Sequence, residues 1–471
     1  MSNLRIFIDF GSTFTKVVAF DLEKEELAAR VQAPSSVDTD ITIGLQTALR
    51  QLGEIIPIRD EDVRQALSCS SAAGGLRMIC VGLVPEYTTE AGRLAALGAG
   101  AKVTGTYSYE LTNQETAEIA AMAPDIILLT GGTDGGNKKT ICHNARMLAG
   151  IGSGVKNIIV AGNKSATDEI QDIFSKSGKE IVYAKNVMPE FGKLELEPVN
   201  ERIRELFIKR ITEAKGIAHV RSMIEDVIMP TPSAVLEAAK LISGGTKGES
   251  GSGELLLVDV GGATTDVYSI ATGVPTISGA SMIGLPEPYA KRTVEGDLGL
   301  FHNLDTLAEL AMEELAMVEP STDELSTKTG LTAELLERLR ELRETMSVPT
   351  GDMQTHDQLT LSRKAVKTAV DRHAGRLERR ITHNGEILLQ RGKDLSNVGI
   401  VLGGGGPLAF SANPRFVLEG AAMGQEISDV LKPRSPSFLL DRKYILFAIG
   451  LLAESQPDKA LRIAKKYLEQ I

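Results

Sequence analysis

The sequence has no tryptophan, and aromatic residues make up only 4% of its 471 positions. Platforms that stack single-stranded nucleic-acid bases are built from such rings, so that class of function is not expected. Basic charge is also short: 51 Lys and Arg face 62 Asp and Glu, a net charge of −11. Neutralising a phosphate backbone needs the opposite balance, and no nucleic-acid partner is expected. The three cysteines, Cys69, Cys80 and Cys142, show no CxxC spacing and no nearby histidine cluster. They read as ordinary buried thiols of a reducing compartment. No run of eighteen apolar residues exists, and the first residues read as a core strand rather than a basic segment leading into an apolar one. The expectation is a cytoplasmic protein with no membrane partner.

Glycine, by contrast, is plentiful at 46 residues. It gathers where strands end. Residues 256–267, LLVDVGGATTDV, read as a buried strand closing on an aspartate, then a Gly-Gly turn whose backbone N–H groups can converge on an anion. Residues 6–17, IFIDFGSTFTKV, repeat the pattern about half a chain earlier. Two strand-Asp-X-Gly loops imply two related halves facing one nucleotide. The Walker pattern GxxxxGK[ST] is absent, and the β-prone Val17, Val18 and Phe20 make the first loop the tip of a hairpin rather than a strand-to-helix turn. Asp9 is placed to hold magnesium through water, and Ser12 and Thr13 offer hydroxyls and N–H groups. Lys16 reads either as a solvated strand residue or as a charge for phosphate.

The texture of the chain suggests α/β architecture. Residues 38–66 have helical periodicity, and residues 68–190 alternate short apolar strands with helices, which implies an inserted module built on a parallel sheet. Its GGTDGG turn at residues 131–136 sits where ligands approach open sheets but lacks the GxGxxG fingerprint, so a tight turn is the favoured reading. Cys142 and His143 beyond it read as packing. A charged helix at 201–220 and a helix opening at Thr231, read as an N-cap before Pro232, follow. The glycine-rich residues 244–253 read as a flexible link. Beyond it, strands at 268–270 and 274–277 and helical stretches at 304–346 and 361–390 suggest a helical lid. Residues 398–402 form a strand before four glycines that could lie against a nucleobase and ribose. The expected division is 1–67, the first ribonuclease-H-like domain; 68–190, the insert; 191–243, connecting helices completing that domain; and 254–471, a second such domain with its lid at about 304–390.

In this order the parts resemble the actin, sugar kinase and heat-shock-70 superfamily, in which two ribonuclease-H-like domains close on ATP. The resemblance makes Asp9, Gly11, Ser12, Thr13 and Lys16 the first phosphate loop. It makes Asp259, Gly261, Gly262, Thr264, Thr265 and Asp266 the second, and Gly403, Gly404, Gly405 and Gly406 the adenosine loop. Residues 230–239 and 447–453 match its two connecting helices, with Gly450 at their close crossing. Asp9 and Asp259 are then the candidate catalytic groups and the outer-sphere magnesium ligands. Heat-shock-70 relatives carry a glutamate before the proline of the first connecting helix, where this sequence has Met229. Slow hydrolysis is the expected consequence, because positioning supplies much of phosphoryl-transfer catalysis.

Within the superfamily, the motifs DFGSTFTK, LTGGTDGGN, NVMPEFG, DVGGATTDV and LGGGGP resemble the MutL/GlmL family, across nearly the whole chain. That resemblance implies an ATP- and magnesium-dependent accessory or reactivating ATPase for a coenzyme-B12-dependent mutase, such as glutamate mutase or a related aminomutase. Such a protein releases damaged cobalamin by prying the mutase subunits apart. The insert lacks the DxHxxG pattern that supplies a cobalt-binding histidine in such mutases, so direct cobalamin binding by this chain is not implied. A small-molecule kinase, with Asp266 or Asp134 as base, and an actin-like filament remain alternative readings.

Overall fold

A computed structural model describes residues 4–11, 13–36, 40–71, 76–152, 154–213, 223–224, 226–300, 303, 306–307, 309–310, 356–383, 385–424 and 428–471. The chain divides into two compact units: Met1–Ala238 with Gly284–Lys291 and Phe447–Lys459, and Ala239–Ile283 with Arg292–Leu446 and Ala460–Ile471.

The first unit opens with a meander, β1 (Leu4–Phe10), β2 (Phe14–Asp21) and β3 (Glu26–Pro34). The next strand, β4 (Leu67–Ser70), pairs parallel with β1. Alternate residues of β1, Leu4, Ile6, Ile8 and Phe10, join Leu45, Ala48, Leu49 and Leu52 of helix Ile41–Ile55 in one core. Burying each of the larger side chains contributes about 1.5–3 kcal/mol. The helix starts where Asp40 accepts the Thr42 N–H at 2.9 Å, and it ends before Pro57, which cannot continue it.

The insert then supplies β5 (Arg77–Val81), β6 (Lys102–Tyr107), β7 (Ile126–Leu129), β8 (Asn157–Val160) and β9 (Glu180–Tyr183). All are parallel, in the order β6-β5-β7-β8-β9. That is the doubly wound order of flavodoxin-like sheets. Ile126 and Leu128 enter the core that holds Leu94, Ile203 and Phe207, whereas Ile127 and Leu129 enter the one that holds Ile141, Leu148 and Ile170. Covering on both faces is why β7 reads as an unbroken apolar run. The chain returns to the first sheet as β10 (Asp226–Pro230), completing the order β3-β2-β1-β4-β10.

The second unit repeats this plan. Its strands β11 (Leu255–Val260) and β12 (Thr265–Ile270) form an antiparallel hairpin. Then come β13 (Ala280–Ile283), β14 (Ala290–Glu295), β15 (Arg376–Thr382), β16 (Gly385–Arg391), β17 (Ile400–Gly404), β18 (Ser437–Leu440) and β19 (Glu469–Gln470). The main sheet runs β14-β12-β11-β17-β18-β19, with β17 parallel to β11 and β18 parallel to β17. It is the first sheet over again, with β19 added. Helix His356–His373 packs Leu361, Ala365, Val366, Ala369 and Val370 against Leu256, Val258 and Val260.

Three expectations change. Residues 361–390 are not one helical stretch: the helix ends at His373, and β15 and β16 follow as a hairpin paired to β13. The strand expected at 274–277 is irregular chain, and Ala280–Ile283 does the pairing instead. Residues 244–253 are no flexible link, since the Thr246 N–H donates to the Glu249 carbonyl at 2.7 Å and Glu249 pairs with Arg462 at 3.2 Å and Lys465 at 3.5 Å. Residues 311–355, the greater part of the expected lid, lie outside the described residues. No described helix is long and apolar enough to cross a membrane.

Helices Thr231–Gly244 and Leu446–Ala453 approach closely at Ala234 and Gly450, where an added Cβ on Gly450 would overlap the Ala234 backbone carbonyl. Backbone cannot yield as a flexible side chain can. Gly450→Ala is therefore expected to destabilise the fold by about 1–3 kcal/mol, read as a lower urea midpoint by circular dichroism; an unchanged midpoint would refute the crossing.

Candidate functional site

Both Asp-X-Gly loops close in the same way. The Gly11 N–H donates to the Phe14 carbonyl at 3.1 Å, and the Gly261 N–H donates to the Thr264 carbonyl at 2.9 Å. A Cβ would come within 2.6 Å of that carbonyl at Gly11 and 3.0 Å at Gly261, which is why glycine occupies both turns. In register, Asp9 faces Lys16 across the first hairpin, and Asp259 faces Asp266 across the second.

In the first loop Asp9 is buried, with 1% exposure. Its Oδ2 accepts from the Lys16 ammonium at 2.9 Å, and its Oδ1 accepts from the Thr231 hydroxyl at 2.6 Å. The Cys69 thiol lies 3.8 Å from the same Oδ1. Burial, and then the Asp9 charge, push that thiol well above its ordinary pKa, so it stays protonated. Lys16 thus turns its ammonium back on Asp9 and lies close to Gly11. Thr13 is exposed at the tip, and its carbonyl accepts from the Ser35 N–H at 2.8 Å. Ser12 lies outside the described residues. Met229 is wholly buried, leaving no polar group where heat-shock-70 relatives carry a carboxylate.

In the second loop Asp259 is half-buried at the end of β11, aligned with Gly404 of β17. Gly405 has φ +90°, and a Cβ there would sit 2.6 Å from Asp259 Oδ1. Here glycine serves both the backbone and the carboxylate. The four glycines are not equivalent. A Cβ on Gly403 would strike Leu418 at 2.7 Å, so Gly403 is a packing position, whereas Gly406 has open space around it. Thr264 donates its hydroxyl to Asp266 Oδ2 at 3.0 Å, while the buried Thr265 hydroxyl donates to the Leu298 carbonyl at 2.7 Å. The Gly262 backbone is half-buried beside them.

The buried Arg292 guanidinium of β14 donates to Asp266 Oδ1 from Nε at 2.9 Å and from Nη2 at 2.5 Å. It also stands 6.0 Å from the centre of the Tyr268 ring. Burial, and then the Asp266 charge, push the Tyr268 phenol well above its usual pKa. Two side chains here escaped the sequence reading. Thr231 was read as a helix cap, yet its hydroxyl goes to Asp9 and, at 3.4 Å, towards Cys69. Arg292 carried no signal, because it lies far from the loop in sequence and outside any motif.

Among the described residues no group of three or more His, Cys, Asp or Glu side chains gathers to hold a metal. A carboxylate in each loop without a protein cage fits magnesium, which keeps its waters and takes phosphate ligands. Asp9, with both oxygens engaged, suits contact through water.

Two sheets of the same order, each with an Asp-X-Gly hairpin at its second and third positions, define the fold of the actin, sugar kinase and heat-shock-70 superfamily. Within it, the chain belongs to the MutL protein family, whose model matches residues 5–468. The relative named Protein MutL, from Clostridium tetanomorphum, is 44% identical over 468 residues, 99% of each chain. Similar solved structures include gluconate kinase from Lactobacillus acidophilus, 11% identical over 100% of this chain and 93% of that one, with a TM-score of 0.35. Another is the activator of 2-hydroxyisocaproyl-CoA dehydratase from Clostridium difficile with bound ADPNP, 12% identical over 39% of this chain and 89% of that one, with a TM-score of 0.13.

Removing one member of a buried ion pair leaves the other charged and unsolvated. Arg292→Met is expected to cost about 3–5 kcal/mol, and Arg292→Met with Asp266→Leu to recover most of it. Chemical denaturation of both variants tests this. Equal losses in the single and double variants would show that the pair does not govern the site.

Proposed function

We propose that this protein is an ATP-binding, slowly hydrolysing accessory ATPase that reactivates a coenzyme-B12-dependent mutase, glutamate mutase or a related aminomutase, in the cytoplasm. The reading rests on one observation above the others: the same Asp-X-Gly hairpin, closed by the same backbone hydrogen bond, stands in each half of a chain of the MutL family. Gly11, Ser12, Thr13 and Lys16 from one loop, and Gly261, Gly262, Thr264 and Thr265 from the other, are assigned to the phosphates. Thr265 serves through its backbone, since its hydroxyl is committed to Leu298. Gly404, Gly405 and Gly406 are assigned to the adenosine, with Gly403 supporting them through packing.

Asp9 and Asp259 orient water and magnesium. Magnesium, when bound, neutralises phosphate charge. Asp259 is the better candidate for aligning the attacking water, because Met229 stands where heat-shock-70 relatives carry the positioning glutamate. With Met229 in the place of a carboxylate, the attacking water lacks one positioning group, which supports slow turnover. Hydrolysis then resets a conformational change that ATP binding drives, with release of damaged cobalamin by the partner as its outcome.

The kinase alternative needs a carboxylate free to take a hydroxyl proton. Asp266 is held by Arg292 and Thr264. Asp134 accepts from Asn186 and from the Lys164 N–H, both at 3.0 Å. Neither is arranged as such a base.

The test is ATP turnover by the purified protein, alone and with an inactivated cobalamin-dependent mutase. Stimulation by the mutase is expected, falling on the order of 10²-fold in Asp259→Ala. Turnover that ignores the mutase but depends on a small hydroxylated metabolite would overturn the accessory role in favour of a kinase.

A further inference from the structure

The insert carries a cavity that the nucleotide chemistry does not use. It measures about 290 Å³ and opens at the carboxyl ends of β8 and β9, among Asp134, Lys164, Tyr183, Lys185, Asn186 and Glu195. In open parallel sheets this is the edge from which ligands enter. The volume is at the small end of ligand sites, which run from about 300 to 1,000 Å³.

Asp134 of the GGTDGG turn lines the cavity, and that turn is rigidly built. Gly131, Gly132 and Gly135 all have positive φ, at 139°, 71° and 79°. Two buried asparagines hold the turn. Asn163 accepts from the Gly135 N–H at 3.0 Å and donates to the Gly136 carbonyl at 3.0 Å. Asn186 donates to the Gly132 carbonyl and to Asp134 Oδ1, each at 3.0 Å, and accepts from the Met188 N–H at 3.0 Å. Asp134 is occupied as well: burial works against its charge, but the bonds from Asn186 and Lys164 hold its carboxyl below the usual pKa. These groups hold the turn and have little left to give a ligand.

Two further lining residues differ. Tyr183, at the end of β9, and Lys185, two residues on, line the cavity, and among the described residues neither the phenol nor the ammonium makes a hydrogen bond or ion pair. Burial pushes the Tyr183 phenol up, so it remains a donor. Tyr183 and Lys185 therefore offer donors to the cavity, and the fitting partner is an anion. The carboxylates of Asp134 and Glu195, which also line it, oppose a polyphosphate. Val160, Ala184 and Pro189 give a short carbon chain an apolar surface.

We propose that this cavity binds a small carboxylate-bearing metabolite, whose carboxylate is taken by the Lys185 ammonium and the Tyr183 hydroxyl. The site is separate from the nucleotide loops, and gives the insert a ligand of its own.

Calorimetric titration of the full chain with pyruvate, L-glutamate and inorganic phosphate tests this. Saturable binding of at least one carboxylate, tighter than that of phosphate, is expected. Lys185→Met should weaken it at least about tenfold, the equivalent of roughly 1.4 kcal/mol, and Tyr183→Phe should weaken it by a smaller factor. Lys185 is exposed, so its variant is expected to keep the wild-type melting temperature. The proposal fails if neither carboxylate binds with a Kd below about 10 mM, if phosphate binds more tightly than both, or if Lys185→Met binds as the wild type does.

Discussion

A carboxylate buried at the root of a β-hairpin is the constraint from which the rest of the structure follows. An ionised group taken out of water is costly unless it is paired and hydrogen-bonded. The two hairpins meet that demand differently. Across from Asp9 the register places Lys16, so the neutralising charge comes from the next strand of the same hairpin, and Thr231 supplies a second bond from far along the chain. Across from Asp259 the same register position is Asp266, a second carboxylate. The cation must then come from outside the hairpin, and Arg292 of β14 brings it. One plan, used twice, thus has a self-neutralised copy and a copy that depends on its sheet neighbour.

That difference bears on chemistry. Asp9 is held on both oxygens, by Lys16 and Thr231. Asp259 is half-buried, with its Oδ1 beside the left-handed Gly405, so the second Asp-X-Gly loop and the glycine run of β17 share one carboxylate. The insert stands apart from this arrangement. Its sheet is parallel throughout, its turn is clamped by Asn163 and Asn186, and its uncommitted donors face a cavity at the strand ends.

Much of this was legible in the sequence because it is local. Apolar patterning and Asp-X-Gly spacing marked β1, β2, β11 and β12, and short apolar runs alternating with helices marked β5, β7 and β8 as strands of a parallel sheet. What was missed depended on partners distant in the chain. Residues 376–391 have the charge pattern of a helix face, yet they pair as a hairpin because β13 offers an edge. Residues 244–253 have the composition of a linker, yet Arg462 and Lys465 pin the turn through Glu249. Composition sets local freedom, and tertiary ion pairs can remove it.

The sequence by itself determined the family, the two Asp-X-Gly hairpins and the glycines that close them, since a tight turn and its glycine are features of neighbouring residues. Only the tertiary structure decided what the polar groups do. It sent the Thr231 hydroxyl to Asp9 rather than to a helix cap, gave Thr265 to the Leu298 carbonyl, made Gly403 a packing residue and paired Asp266 with Arg292. The reason is physical: a side chain's hydrogen-bond partner is fixed by which strands lie next to one another, and that order is set by packing the sheet as a whole.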